Sequence, residues 1–122
     1  MLLKVPSKTY RSNDFPLVVG VLNLTPDSFY DGGKYNNLRS ICKLVEKYLD
    51  EGVDIIDIGA ESTKPGSKRV SYEEEKRRLF PTIDQIIKKY NPIISLDTMK
   101  SEIAKMGLDL GVELINDATG FM

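Results

Sequence analysis

Small polar and charged side chains recur just after the apolar runs of this sequence. Four groups do so, and in chain order they are Asn23, Thr25, Asp27 and Ser28; Glu61, Ser62, Thr63 and Lys64; Asp97 and Thr98; and Asn116 and Asp117. Carboxylates accept hydrogen bonds, carboxamides accept and donate them, and lysine donates three, so the groups suit recognition of a polar ligand. Any one group could instead close a turn or cap a helix, but four in succession exceed what turns need.

Several kinds of chemistry are excluded or disfavoured by composition. The 122 residues include no histidine, so an imidazole general base, a histidine metal ligand and a Ser-His-Asp triad are unavailable within this chain. The single cysteine, Cys42, rules out an internal disulfide, suits a reducing compartment, and is predicted to be buried on a helix face. A net charge of −1 gives no reason to expect nucleic acid or a membrane surface as partner, and we expect a cytoplasmic protein.

The elements that would position these groups follow from hydrophobic periodicity. Strands are predicted over residues 17–22, 53–58, 92–97 and 112–116. The first, LVVGVL, is so uniformly apolar that we expect it to be buried on both faces. A helix is predicted from Leu38 to a terminating Gly52, with an apolar stripe of Leu38, Ile41, Cys42, Val45 and Leu49.

Two further helices are predicted, one opened by a capping box at Ser71 and Glu74 and one over residues 100–110. Pro81 lies within the first of them and predicts a kink or two consecutive helices. The string KRVSYEEEKRRL is interpreted as an exposed helical face. Thr98 could simply cap the last helix.

The resulting β-α-β-α-β-α-β order predicts an α/β fold with a parallel sheet. An open doubly wound sheet and a (β/α)8 barrel both satisfy it, and both bind ligands at the carboxyl ends of the strands. No G-x-G-x-x-G follows the first strand, and 122 residues correspond to about four of the eight barrel units. We therefore expect one partial domain over 1–122, the N-terminal half of a (β/α)8 barrel, with residues 1–16 an N-terminal extension or hairpin.

Four strings, LNLTPDSFYDGG, DIGAESTKPGS, SLDT and INDATG, resemble in order and spacing those of dihydropteroate synthases, the pterin-binding barrel enzymes of folate biosynthesis. The resemblance extends from about Leu17 to the last residue. It implies that 4-aminobenzoate displaces diphosphate, with Mg²⁺ as cofactor, from (7,8-dihydropterin-6-yl)methyl diphosphate to give 7,8-dihydropteroate. It also implies a homodimer for the full-length family.

The resemblance also implies roles for individual residues. Asn23 matches the family's Mg²⁺ ligand, Asp97 and Asn116 match its pterin-recognising pair, and Thr63 matches a substrate-contacting threonine. Catalytic residues are not assigned, and the candidates in two loops, the first over residues 25–33 and the second over 62–66, are Asp27, Ser28, Phe29, Asp31 and Lys64. The loops would close over the site, with Phe29 and Pro65 as apolar walls.

Two departures from the family pattern bear on function. Lys64 occupies a position where arginine is common in the family, and lysine lacks the planar fork that grips oxyanions. The later strands of the family carry a further pterin-binding acid, a lysine, and an arginine and a histidine that hold the diphosphate. None of these residues has a counterpart here. We expect the chain to be either a truncated portion of such an enzyme or half of a barrel that a second copy completes. The single chain is expected to be inactive. A methyltetrahydrofolate–corrinoid methyltransferase and a non-catalytic fragment are the alternatives, and the first of these is disfavoured by SFYDGG and ESTKPG.

Overall fold

The computed structural model describes residues 2–5, 8–11, 16–24, 38–60 and 70–116. Its elements in these ranges are six strands and three helices. They are β1 (Leu2–Val5), β2 (Lys8–Arg11), β3 (Val19–Asn23), α1 (Leu38–Asp50), β4 (Ile55–Gly59), α2 (Tyr72–Tyr90), β5 (Ile94–Asp97), α3 (Ser101–Leu110) and β6 (Leu114–Asn116). The predicted alternation is confirmed, although each of the four predicted strands begins two residues before the observed one.

Four of the strands form one parallel sheet in the order β3-β4-β5-β6, while β1 and β2 form a separate antiparallel pair. The order in space is the order in the chain. In a doubly wound sheet the order in which successive strands are added reverses at a switch point. The order of the described strands contains no such reversal. This sequential order is that of successive units of a (β/α)8 barrel.

The three helices lie together on one face of this sheet, where the core is aliphatic. The sheet contributes Leu22, Ile56, Ile58, Ile94 and Leu96, and the helices contribute Ile41, Val45, Leu79, Ile83, Ile86 and Ile103, all fully or almost fully buried. Burying one such side chain is worth about 1.5–3 kcal/mol. The helix-facing layer is therefore the main source of stability among the described residues.

The expectation that the first strand is buried on both faces is wrong for this structure. Burial alternates along β3: Leu22 is fully buried, whereas Val19 and Val21 are 48% and 50% exposed. Successive side chains of a strand point to opposite faces, and the described helices cover only one of them. The apolar run indicated a strand that can be buried on both faces. Among the described residues, the helices bury one face and no element buries the other.

Tyr48 of α1 packs against the outer edge of β3. Its ring lies over Gly20, where an added Cβ would come within 2.7 Å of the ring. The Tyr48 hydroxyl donates a hydrogen bond of 2.8 Å to the Val21 carbonyl. Glycine is needed at position 20 because any side chain would displace the tyrosine.

The helix boundaries follow the expected capping signals. Cys42 is buried on α1, as predicted, although Leu38 at its start is exposed. Gly52 follows the end of α1 with a φ of +83°, a conformation that favours glycine. Ser71 is the N-cap of α2, and its hydroxyl accepts the Glu74 N–H at 3.2 Å.

Pro81 does not divide α2, so the alternative of two consecutive helices is wrong. One helix continues from Tyr72 to Tyr90. Proline removes the hydrogen bond to the carbonyl four residues earlier, which belongs to the exposed Arg77, and water can satisfy that carbonyl. None of the helices in the described part of the chain is long and apolar enough to cross a membrane.

Candidate functional site

Three of the predicted site residues lie in one row at the carboxyl ends of the parallel strands. Backbone register pairs Asn23 with Gly59, Gly59 with Asp97, and Asp97 with Asn116. Paired residues of parallel strands share a face, and this face is opposite to the helices. Neighbouring strands lie about 4.8 Å apart, so one small ligand can contact Asp97 and Asn116 together.

Gly59 gives this row its shape because it leaves space beside Asp97. A Cβ at Gly59 would lie 3.2 Å from the Asp97 Cβ and 3.6 Å from its Oδ2. The carboxylate of Asp97 therefore extends over the glycine, towards the strand that carries Asn23. Any larger residue at position 59 would displace the carboxylate or fill the same space.

The preceding register row on the same face contains a carboxylate that was not among the predicted site residues. Asp57 is paired in register with Val21 and Ser95. Burial raises the pKa of Asp57, and a hydrogen bond with the Ser95 side chain partly opposes that rise. The Asp57 Oδ1 atom is buried without a hydrogen-bond partner among the described residues. The signal in the sequence was an acidic residue inside the aliphatic run VDIIDI.

A second missed residue is Glu75, which the exposed-face interpretation of KRVSYEEEKRRL assigned to solvent. Glu75 is 0% exposed, so that interpretation is wrong here. The spacing of Glu75, Leu79, Ile83 and Ile86 places all four on one side of α2. Helical periodicity could have found it, but the run of charges around it concealed the pattern.

Glu75 connects α2 to the segment that follows Asp97. The Thr98 hydroxyl donates to Glu75 Oε2 at 2.6 Å, and Lys100 Nζ donates to Glu75 Oε1 at 2.8 Å. Thr98 does not cap α3 as the alternative interpretation suggested: Lys100 is the N-cap and makes no side-chain capping bond. The Thr98 Oγ1 instead accepts the Lys100 N–H at 3.2 Å.

Arg78, one turn after Glu75, reaches the end of the neighbouring strand. Its Nη1 donates to the Ala60 carbonyl at 3.0 Å, directly after Gly59 of the row. Its Nε donates to Glu74 at 2.9 Å. Hydrogen bonds from Arg77 and Arg78 lower the pKa of Glu74 to about 2. The first two turns of α2 thus contact the ends of both β4 and β5.

The other predicted site residues lie outside the described residues: Asp27, Ser28, Phe29, Asp31, Thr63 and Lys64. The described ranges contain no cluster of three or more histidine, cysteine, aspartate or glutamate residues able to hold a metal ion. Asn23 contributes a single exposed amide at the end of β3. This donor set suits a hard cation that takes most of its ligands from elsewhere.

A groove of about 760 Å³ also exists, but it lies on the helix side of the molecule. It is formed between α2 and α3, with Phe80, Pro81, Met106 and Leu110 in its lining. The row of strand-end residues faces the other way. We therefore take the strand-end row as the candidate site.

Comparison with known proteins gives a consistent result. A family model described as "Pterin binding enzyme" matches residues 19–122. The chain is 43% identical over 119 residues to the dihydropteroate synthase of Clostridium beijerinckii, covering 98% of this chain and 44% of that protein. It is 49% identical over 100 residues to that of Staphylococcus haemolyticus, covering 82% and 37% respectively.

Solved structures agree with the sequence relatives. The dihydropteroate synthase of Xanthomonas albilineans with 4-aminobenzoic acid superposes with a TM-score of 0.87 at 35% identity, covering 98% of this chain and 44% of that one. The Burkholderia cenocepacia enzyme complexed with 7,8-dihydropteroate gives a TM-score of 0.80 at 32% identity, covering 98% and 39%.

These neighbours are (β/α)8 barrels, which confirms the fold predicted for this chain as part of such a barrel. The chain spans less than half the length of the relatives it matches. The match to the family model nonetheless includes all four strands of the parallel sheet and the three helices. The chain belongs to the family of pterin-binding enzymes.

Proposed function

We propose that this chain forms part of the pterin site of a dihydropteroate synthase. The reaction joins (7,8-dihydropterin-6-yl)methyl diphosphate to 4-aminobenzoate and releases diphosphate. The observation that carries the proposal is the row of Asn23, Gly59, Asp97 and Asn116 across four strand ends. Relatives named dihydropteroate synthase, with family membership over residues 19–122, support the same reaction.

In this proposal Asp97 and Asn116 recognise the pterin edge. The 2-amino-4-oxo pyrimidine ring has adjacent donors and acceptors. A carboxylate accepts two hydrogen bonds side by side, and a carboxamide both accepts and donates. The two residues are direct register partners on adjacent strands, and Gly59 leaves Asp97 room beside them. These contacts orient the ring and anchor the substrate for loss of diphosphate.

Asn23 supplies one amide oxygen to Mg²⁺ in this proposal. A single neutral ligand fits an ion whose remaining positions are taken by diphosphate oxygens and water, as is usual for Mg²⁺ on phosphate substrates. The ion, when bound, neutralises charge on the leaving diphosphate.

The remaining assignments rest on the resemblance in sequence. Thr63 contacts substrate, and Lys64 supplies a positive charge to an anionic group without the bidentate grip of arginine. Asp27, Ser28, Phe29 and Asp31 belong to the first loop of the same site.

By itself, the chain is proposed to bind pterin weakly and not to turn over, because it spans 44% or less of the relatives. We place the enzyme in the cytoplasm and expect the full-length protein to be a homodimer. Val18, Val19 and Val21, each about half exposed, form apolar surface that further chain or a second copy would cover. Size-exclusion chromatography with light scattering tests the assembly, and a well-folded monomer would contradict the need for such a cover.

Calorimetric titration of the chain with the pterin diphosphate and Mg²⁺ tests the site. We expect binding that Asn23→Ala weakens when Mg²⁺ is present and leaves unchanged when it is absent. A matched control is Asp109→Asn at the exposed end of α3. No heat with the intact chain at millimolar ligand would contradict a pterin site on this face.

A turnover assay separates the synthase from a fragment that only binds. The chain is assayed alone and as part of a hybrid enzyme, in which it takes the place of the matching segment of the C. beijerinckii dihydropteroate synthase. Dihydropteroate formation by the hybrid, lost on Asp97→Asn, is the expected result. A folded hybrid that binds both substrates without forming product would contradict the synthase assignment.

A further inference from the structure

A buried carboxylate on the helix layer reaches the strand ends that carry the candidate site. Glu75 is completely buried, and its two oxygens are held by Thr98 at 2.6 Å and Lys100 at 2.8 Å. Lys100 also donates to the Val70 carbonyl at 2.9 Å, just before α2 begins. Glu75 is therefore fixed by two residues of the segment that connects β5 to α3, Thr98 and Lys100.

Thr98 carries this contact on to the neighbouring strand. Its hydroxyl donates to Glu75 and accepts the Lys100 N–H, which fixes the side chain from two directions. Its own backbone N–H donates to the Asn116 carbonyl at 3.2 Å. Thr98 follows Asp97 directly, so a single residue links Glu75 to both members of the Asp97–Asn116 pair.

The energetic cost of this arrangement argues for more than a packing role. Burying an ion pair costs several kcal/mol per charge, and apolar residues of similar volume often stabilise a core as well or better. Lys100 retains only 24% of its side-chain exposure, so both charges are largely removed from water. A buried polar group with several hydrogen bonds fixes direction and spacing, which an aliphatic contact does not.

We propose that Glu75 is a positioning residue that, through Thr98 and Lys100, fixes the ends of β5 and β6 and hence the spacing of Asp97 and Asn116. Arg78 extends the contact to β4 through the Ala60 carbonyl. The inference deepens the proposed function, since the ligand affected is the pterin that Asp97 and Asn116 are proposed to recognise.

The direct test is a set of variants in the full 122-residue chain. Thr98→Val removes the hydroxyl and leaves Glu75 paired with Lys100, Thr98→Ser restores the hydroxyl, and Glu75→Gln keeps the shape but weakens both contacts. Glu73→Gln, on the exposed side of the same turn of α2, is the matched control. Circular dichroism selects the variants that remain folded.

Two readouts separate positioning from general stability. Exchange of the backbone amide of residue 98, which reports the bond to the Asn116 carbonyl, is expected to accelerate about tenfold in Thr98→Val and Glu75→Gln relative to exchange in β4. Affinity for the pterin diphosphate is expected to fall about tenfold in both, corresponding to about 1.4 kcal/mol. Thr98→Ser and Glu73→Gln are expected to match the unmodified chain in both readouts.

The outcomes distinguish this inference from the function on which it rests. Unchanged amide exchange at residue 98 in folded Thr98→Val and Glu75→Gln overturns the positioning role, whatever the pterin affinity is. Faster exchange at residue 98 with unchanged pterin affinity also overturns the positioning role. In that case pterin binding would not depend on the contacts that Glu75 makes. Faster Thr98 exchange in a chain that binds no pterin supports the link from Glu75 to the strand ends and contradicts the proposed function alone.

Discussion

The two faces of the parallel sheet differ although the same strands form both. The helix-facing side contains Leu22, Ile58 and Leu96 in one register row, all fully buried. The next row on the opposite side contains Asn23, Gly59, Asp97 and Asn116. A single residue step along each strand separates an aliphatic core from a polar row.

This difference shows how one short strand can serve stability and binding together. The side-chain period of two sends alternate residues to opposite faces, so each strand supplies both rows without a change in backbone. The helix face can be filled for packing alone. The other face accepts groups that are costly to bury, such as Asp57, whose Oδ1 has no hydrogen-bond partner in the part of the chain that the structure describes. That cost has to be offset by the helix-facing core.

The largest expected effect comes from the helix-facing row. Leu22→Ala should lower the free energy of unfolding by about 2–5 kcal/mol, because it leaves a cavity against α1 and α2. The neighbouring Val21→Thr, on the other face, should change it by within about 0.5 kcal/mol. Urea denaturation of both variants measures the contrast, and equal losses would remove the distinction between the faces in this chain.

Asp97→Asn tests the polar face, with an expected loss of about 1.5–3 kcal/mol in pterin binding free energy. The charge that makes the carboxylate a strong double acceptor is lost, while the volume is kept. Calorimetry measures the affinity and urea denaturation the stability. A variant that loses stability and keeps affinity would assign Asp97 to the fold rather than to the site.

Gly59→Ala should act on the site through Asp97. The added Cβ lies 3.2 Å from the Asp97 Cβ, so the neighbour must shift, with an expected cost of about 1 kcal/mol in stability and a severalfold loss of affinity. A double-mutant cycle with Asp97→Asn tests whether Gly59→Ala lowers the affinity by displacing Asp97. Additive losses of affinity would mean that Gly59 contributes independently of the carboxylate.

The smallest expected effect is a gain from Asp57→Asn, of about 0.5–1 kcal/mol at pH 7. Burial raises the pKa of Asp57 in the folded chain above its ordinary value of 3.8. The folded state therefore prefers the protonated form, so this group favours folding fully below pH 3.8 and loses that contribution as pH rises through the folded pKa. The gain should disappear below pH 3.8 in a pH series of urea denaturations, and a gain independent of pH would exclude burial of the charge as its cause.

The sequence was sufficient to predict the strands, the helices and the strand-end positions of Asn23, Asp97 and Asn116. Periodicity and the common direction of parallel strands are properties of the local chain. Exposure of Val21 was not predictable in this way, because burial depends on which layers cover a face. Glu75 was missed because the charges around it concealed its place in the helical period. Its partners, Thr98 and Lys100, were not predictable, since they are 23 and 25 residues away. Long-range hydrogen bonds leave no periodic trace.

Tyr48 has a consequence for solubility. Among the described strands β3 is at the end of the sheet, and an open edge offers its carbonyls to any extended peptide. The Tyr48 hydroxyl already occupies the Val21 carbonyl, at the middle of that edge, and its ring overlies Gly20. A strand from another molecule would have to displace both contacts in order to pair with β3. Tyr48 therefore disfavours edge-to-edge aggregation at this strand.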